Sequence, residues 1–210
     1  MQLAIEDAIK TGRLAIFIEK LATISQKLRA PILDAILKQL IGMGALMRNK
    51  TRWGSVYLMV RRLLKIKPQV KDLPSEEVKL TELEWGKLER LVTILEIPHK
   101  ATITLQRENL TPGQCLLELR EVQFRLKKLG DETALNIAKC IESREKKLFE
   151  NSIFEAAVWI ESRSRVLLTD AQKATAKETL QAVYQRIEQS LSSGDQVRIT
   201  GPIMRNFCTE

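Results

Sequence analysis

Apolar residues recur at helical spacing along most of the chain. Leu14, Phe17, Leu21, Ile24 and Leu28 follow one another at intervals of three and four residues, the spacing that places side chains on one face of an α-helix. The same rhythm returns in residues 32–40, 56–64, 88–95, 115–129, 135–148 and 180–191. Alternation of apolar and polar residues, which would indicate a strand, is confined to residues 196–200. The pattern therefore predicts an all-α chain of eight to ten helices.

Local signals place several helix ends. T-x-x-E or T-x-x-Q sequences begin at Thr81, Thr111 and Thr169. In such a capping box the threonine and the Glu or Gln satisfy each other's free backbone N–H groups. Gly130 is placed to end a helix in the left-handed conformation. Pro98 either kinks or ends the helix that begins after Thr81.

These elements indicate one helical domain over residues 1–191. A subdivision near residues 68–80 is left open, because Pro68 and Pro74 bracket a stretch that is typical of a linker. Residues 192–210 follow the last periodic helix, and we expect an irregular or disordered tail there.

Positive charge is concentrated in one part of the chain. The net charge is +8, from 34 basic and 26 acidic residues. No acidic residue lies between Asp34 and Asp72, an interval that holds nine basic ones: Lys38, Arg48, Lys50, Arg52, Arg61, Arg62, Lys65, Lys67 and Lys71. The rest of the chain has 34 − 9 = 25 basic residues against 26 acidic ones, and is close to neutral. A basic patch on a neutral body favours a polyanion partner, although a solvated face that maintains solubility would have the same composition.

The candidate site is in residues 51–67, TRWGSVYLMVRRLLKIK. A basic loop leads to Trp53, and a helix follows in which Ser55 is placed to cap the first turn. An aromatic ring at a loop tip beside arginines suits stacking on a base and binding phosphates; alternatively, Trp53 packs into the core. The predicted DNA-binding residues are Arg48, Lys50, Arg52, Trp53, Ser55, Arg61, Arg62, Lys65 and Lys67.

The same stretch resembles a motif of hAT-superfamily DNA transposases, usually written TRWNSTYLMLERLL. Gly54, Val56 and Arg61 stand where the family has Asn, Thr and Glu. Residues 1–9 (MQLAIEDAI) resemble the segment after the family's Cys/His motif. Residues 154–169 (FEAAVWIESRSRVLLT) resemble a later segment of the type AAxxLDPRxKxLLT.

The resemblance implies a ribonuclease-H-like enzyme interrupted by a helical insertion domain. Two aspartates upstream of the insertion and one glutamate downstream would hold catalytic metal ions. This chain resembles the insertion domain alone, so we expect no catalytic residue, metal, cofactor or enzymatic activity. Glu161, which stands where the later segment has Asp, is expected to be structural, with Trp159 and Ile160 in the core. In the family, the tryptophan of the motif is thought to stack on a flipped base.

Other features limit the function classes. No apolar run is long enough for a membrane span, and Glu6 and Asp7 do not suit a signal peptide. Cys115, Cys140 and Cys208 are widely spaced, and the single histidine, His99, cannot build a His-rich metal site.

We therefore expect a nuclear, transposase-derived DNA-binding protein that neither associates with a membrane nor acts on a small-molecule substrate. Two alternatives stay open. One is a helical interaction module that forms a homo-oligomer through faces such as residues 88–95 and 180–191. The other is a part of a longer, active hAT transposase.

Overall fold

The chain folds into helices throughout the part that can be described. The structure, a computed structural model, describes residues 1–10, 12–49 and 52–192, in which there are ten α-helices and no strand. The helices are α1 (Gln2–Ile9), α2 (Gly12–Leu28), α3 (Pro31–Ile41), α4 (Trp53–Lys65), α5 (Lys67–Asp72), α6 (Glu82–Leu105), α7 (Pro112–Leu129), α8 (Glu132–Leu148), α9 (Ser152–Ile160) and α10 (Asp170–Ser192). The prediction of an all-α chain with eight to ten helices is confirmed. The alternating stretch at 196–200 and the predicted tail beyond Ser192 lie outside the described residues.

The three predicted capping boxes are all present. The backbone N–H of Glu84 donates to Thr81 Oγ1 at 3.3 Å, and the Thr81 N–H donates to the Glu84 carboxylate at 3.1 Å. Thr111 and Thr169 form the same pair of bonds with the glutamines three residues later. Gly130 ends α7 with a φ of 66°, in the left-handed region as predicted.

Two predictions that were based on prolines can be compared with the structure. The sequence left the effect of Pro98 open, and its prediction for the stretch between Pro68 and Pro74 was wrong. Pro98 does not end a helix, because α6 continues through it to Leu105. Thr102 Oγ1 donates to the Pro98 carbonyl at 2.8 Å in the turn that follows. The stretch between Pro68 and Pro74 was expected to be a linker, but it forms α5. Its apolar side chains, Val70 and Leu73, are buried in the main core.

Two clusters of apolar side chains hold the helices together. The larger one takes residues from α1 to α8, with α4 packed on α6, α6 on α7, and α8 against both α7 and α1. The smaller one consists of Leu116, Phe154, Val158 and Leu168, and it joins α7 to α9 and to the turn before α10.

Helix α10 leaves its apolar stripe largely at the surface. Val183, Tyr184, Ile187 and Leu191 are 42%, 61%, 47% and 72% exposed. Ala176 is the one buried residue of the helix. Helix α9 packs against α10, and Lys177 lies over the Trp159 ring, so the contact involves the N-terminal half of α10. Helical spacing identified the apolar stripe correctly, but it did not show whether another helix packs against that stripe.

Candidate nucleic-acid interface

Trp53 is the first residue of α4, and its side chain is buried, with only 2% exposed. The prediction that the indole protrudes from a loop tip is therefore wrong. The physical reason is that Trp53 is in register with the buried stripe of α4, three residues before Val56 and seven before Val60. That register was visible in the sequence, and burying a ring of this size is strongly favourable. In this conformation, the ring is not accessible for stacking on a base.

Trp53 is buried within an aromatic cluster between α4 and α6. The imidazole of His99 contacts the ring of Tyr57, which is itself 2% exposed, and meets the edge of Trp53 with 6.1 Å between ring centroids. The guanidinium of Arg61 lies 5.9 Å from the centre of the Tyr57 ring. Burial, and then the positive charge of Arg61, lower the pKa of His99 below its ordinary value, while Glu96 acts in the opposite direction.

Ser55 does not cap the first turn of α4, because the helix begins two residues earlier than the serine. Its Oγ instead accepts a hydrogen bond from the Asn49 N–H at 2.7 Å. The same oxygen lies within donating distance of the Asn49 and Arg52 carbonyls, at 2.8 and 2.6 Å. Ser55 therefore fixes the end of the basic loop onto α4, a structural role rather than the predicted cap.

Three of the predicted phosphate-binding residues make intramolecular contacts. Arg48 pairs with Glu19 of α2, and Lys67 pairs with Glu89 of α6 at 2.8 Å. Arg62 donates to the Gly44 carbonyl at 2.9 Å. The interval without acidic residues is thus partly neutralised in space by glutamates from other helices. Sequence reasoning could not see these pairs, because their partners are distant along the chain.

Arg52, Arg61 and Lys65 remain available at the surface. All three are exposed, and none has an ion-pair partner among the described residues. Arg61 and Lys65 are four residues apart on α4, so they project from the same side of the helix. Arg52 immediately precedes its first turn. We call these three residues the α4 cations. Lys50, the remaining predicted residue, lies outside the described residues.

Glu161 joins two segments of the fold, as its predicted structural role requires. Its carboxylate accepts a hydrogen bond from Thr111 Oγ1 at 2.6 Å, at the N-terminus of α7. Ser164 Oγ, which is buried, donates to the Val158 carbonyl at 3.0 Å. The segment that resembles the later transposase motif thus fastens the end of α9 to the start of α7.

The side chains beside Glu161 are less buried than predicted. Trp159 is half-buried and packs against the smaller apolar cluster, whereas Ile160 is 63% exposed, so the assignment to the core was wrong for Ile160. Arg165 and Lys177 place their cationic groups 4.6 and 5.2 Å from the centre of the Trp159 ring. Sequence reasoning missed this arrangement, since Lys177 comes from a different helix.

Neither a metal centre nor a membrane span is found in the described part of the chain. No group of three or more His, Cys, Asp or Glu side chains there is placed to hold a metal ion. None of the described helices combines the length and apolar character needed to cross a bilayer. Comparisons with protein-family models, curated proteins and solved structures find no match to this chain.

Proposed function

We propose that this chain is a transposase-derived, nuclear nucleic-acid-binding protein that contacts phosphate groups through the α4 cations, Arg52, Arg61 and Lys65. The observation that supports it best is that these three cations are exposed and have no ion-pair partner among the described residues, at the start of and along the helix that carries the hAT-like motif. Binding, rather than phosphodiester chemistry, is the proposed activity.

The arrangement of Arg61 and Lys65 suits a phosphate backbone. Residues four apart are separated by about 6 Å along a helix axis, and both side chains are long enough to reach neighbouring phosphates of one strand. Contacts of this kind position a protein on nucleic acid without reading its sequence. The proposal therefore predicts binding that is sensitive to salt and largely indifferent to base sequence.

The role of Trp53 in this proposal is indirect. Its ring anchors the N-terminal end of α4 to α6, beside the position of Arg52. Base stacking, which the sequence favoured, is not part of the proposed interaction. The tryptophan of the motif then contributes by holding the helix in place, and its loss would act through stability.

Fluorescence anisotropy with a labelled DNA duplex tests the proposal. The informative variant is the double substitution Arg61→Gln with Lys65→Gln, which removes two charges from α4. The matched control is Lys139→Gln with Lys147→Gln, because both lysines are exposed on α8 and unpaired among the described residues. Weaker binding of the α4 variant alone would support a defined interface, whereas equal weakening of both would indicate attraction by diffuse charge.

A second candidate function rests on α10. Leu180, Tyr184, Ile187 and Leu191 follow one another at intervals of four, three and four residues, which is the heptad spacing of a helix that pairs with another helix. All but Leu180 are exposed. We infer that the chain also self-associates as a helical interaction module, through this stripe of α10.

A further inference from the structure

Trp159, near the end of α9, holds two cationic groups over its ring. The guanidinium of Arg165 lies 4.6 Å from the ring centre, and the ammonium of Lys177 lies 5.2 Å from it. At these distances the positive charges are attracted to the aromatic face. The ring thus brings together a cation from the turn after α9 and a cation from α10.

Arg165 is also fixed by a hydrogen bond, because its Nε donates to the Trp159 carbonyl at 2.8 Å. Its two terminal nitrogens have no acceptor among the described residues. Such a guanidinium can donate to both oxygens of one carboxylate. Since the side chain is already ordered, a partner that pairs with it loses less entropy on binding.

The two cations are exposed and close to each other. Because both lie over one ring, their charged groups are at most about 10 Å apart, which is within a Debye length at moderate salt. Neither forms an ion pair with any of the described residues. Glu161, the acidic residue nearest to Arg165 in sequence, accepts a hydrogen bond from Thr111. An anionic partner would therefore meet two ordered cations whose charge is not neutralised.

Exposed aliphatic side chains accompany these charges. Ile160, which follows Trp159 directly, is 63% exposed, and Val166, which follows Arg165 directly, is 78% exposed. Tryptophan and arginine are enriched in protein interfaces, and the aliphatic side chains add apolar area that a protein partner can cover. A phosphate backbone offers no comparable apolar contact, so the composition favours a protein partner.

From this arrangement we propose that Trp159, Ile160, Arg165, Val166 and Lys177 form a docking surface, the Trp159 surface, for an acidic segment of another protein. Carboxylates of that segment pair with the two cations, and its apolar side chains cover the two aliphatic ones. The Trp159 surface is separate from the α4 cations, because α9 packs on α7 and α10, whereas α4 packs on α6. The proposal does not depend on binding to nucleic acid.

Titration with a short synthetic peptide, Glu-Leu-Glu-Glu-Leu-Glu, observed by nuclear magnetic resonance of ¹⁵N-labelled protein, tests this proposal. The chain has three tryptophans, and hence three indole N–H signals, which Trp159→Phe and Trp85→Phe variants assign. We expect the Trp159 signal to move and to saturate. The signals of Trp53 and Trp85, which are buried, should stay in place.

Two altered peptides separate the contributions of charge and apolar contact. A peptide with glutamine in place of glutamate keeps the leucines, and should bind at least about fivefold more weakly if the cations take part. A peptide with glycine in place of leucine keeps the charge, and should also bind more weakly because it leaves the aliphatic side chains in water. Equal affinity for all three peptides would refute the proposed contacts.

Charge substitutions in the chain locate the binding. Arg165→Gln with Lys177→Gln should weaken binding of the acidic peptide about fivefold, and Lys177→Gln alone, which leaves the hydrogen bond of Arg165 in place, about twofold. The control is Arg61→Gln with Lys65→Gln, which removes the same charge from α4 and should leave the affinity for the peptide unchanged.

Three outcomes would overturn the proposal. They are an unmoved Trp159 signal, equal weakening by the two double substitutions, and a Trp159 signal that a DNA duplex moves and the acidic peptide does not. The last result would assign the Trp159 surface to nucleic acid. Loss of DNA binding in Arg61→Gln with Lys65→Gln tests the α4 cations separately, so failure of one proposal is distinguishable from failure of the other.

Discussion

The imidazole of His99 lies against the ring of Tyr57, with 4.3 Å between the ring centroids and an interplanar angle of 33°. This contact joins α6 to the α4 helix that carries the candidate interface. Burial, and then Arg61, lower the pKa of His99 from its ordinary value of 6.5. The folded state thus favours the neutral imidazole, which couples the packing of α4 on α6 to pH.

The first prediction concerns this coupling. Because the folded state binds the His99 proton less readily than the unfolded state, the free energy of unfolding falls as the pH drops below about 6.5. Urea unfolding at about pH 7.5 and about pH 5.5 measures the loss, and His99→Gln should show a smaller one. The raised pKa values of Glu118 and Glu155 act in the opposite direction, and because both glutamates are present in the two chains, their effect cancels when His99→Gln is compared with the unsubstituted chain. An identical pH dependence in His99→Gln would rule out this coupling.

The second prediction separates the structural role of Trp53 from base stacking. Trp53→Ala should lower the free energy of unfolding by about 3–5 kcal/mol, as expected when a large aromatic side chain is removed from a core. Trp53→Phe keeps a ring in the core, and should leave DNA affinity unchanged. Urea unfolding and fluorescence anisotropy measure the two quantities. Stacking would instead be indicated by a stable Trp53→Phe variant that binds DNA less tightly than the unsubstituted chain does.

The third prediction concerns the contact between Thr111 and Glu161. A Cβ atom at Gly113 would lie 2.2 Å from both the Glu161 carboxylate and Ser164 Oγ, so both groups would have to move. We expect Gly113→Ala to lower the free energy of unfolding by about 1–3 kcal/mol.

Gly86→Ala is a suitable control for this substitution. Gly86 is in α6, and an added Cβ there meets nothing within 4 Å. That substitution should raise the free energy of unfolding by about 0.5–1 kcal/mol, because alanine favours the helix. If both variants were stabilised to the same degree, the close packing around Gly113 would be refuted.

The fourth prediction addresses self-association through α10. Light scattering should give a molar mass that rises with protein concentration, and Ile187→Gln should abolish the rise by placing a polar group in the stripe. Ile32→Gln provides the comparison, since Ile32 is a 76% exposed isoleucine on α3. A constant monomer mass, or the same effect from both substitutions, would count against pairing through α10.

Local signals in the sequence were sufficient for the helices and many of their ends. Thr81 with Glu84, and Gly130, were interpreted correctly because their partners lie within a few residues of them. Contacts between distant segments were not accessible in this way. Arg48 pairs with Glu19, a residue 29 positions away. The distribution of charge along the sequence therefore did not predict the distribution of charge on the folded surface.

The position of Trp53 shows how an error in one helix boundary affects the predicted site. The spacing of Trp53 from Val56 and Val60 already placed it on the buried face of α4. The sequence analysis nevertheless assigned Trp53 to the loop before the helix, whereas it is the first residue of the helix. The predicted cap, Ser55, lies three residues after the observed N-cap, Arg52, and this error in the helix boundary placed the ring at the surface instead of in the core. The unpartnered stripe of α10 shows that periodicity defines a face without identifying what covers it.

The central claim is that the α4 cations contact phosphates, and the salt dependence of DNA binding tests it most directly. Three phosphate contacts predict that the logarithm of the association constant falls with the logarithm of salt concentration at a slope of about −2.7. In Arg61→Gln with Lys65→Gln, the slope should become less steep by about 1.8, while Lys139→Gln with Lys147→Gln leaves it unchanged. A flat salt dependence in the unsubstituted chain, or a slope that the α4 substitutions do not alter, would contradict the account.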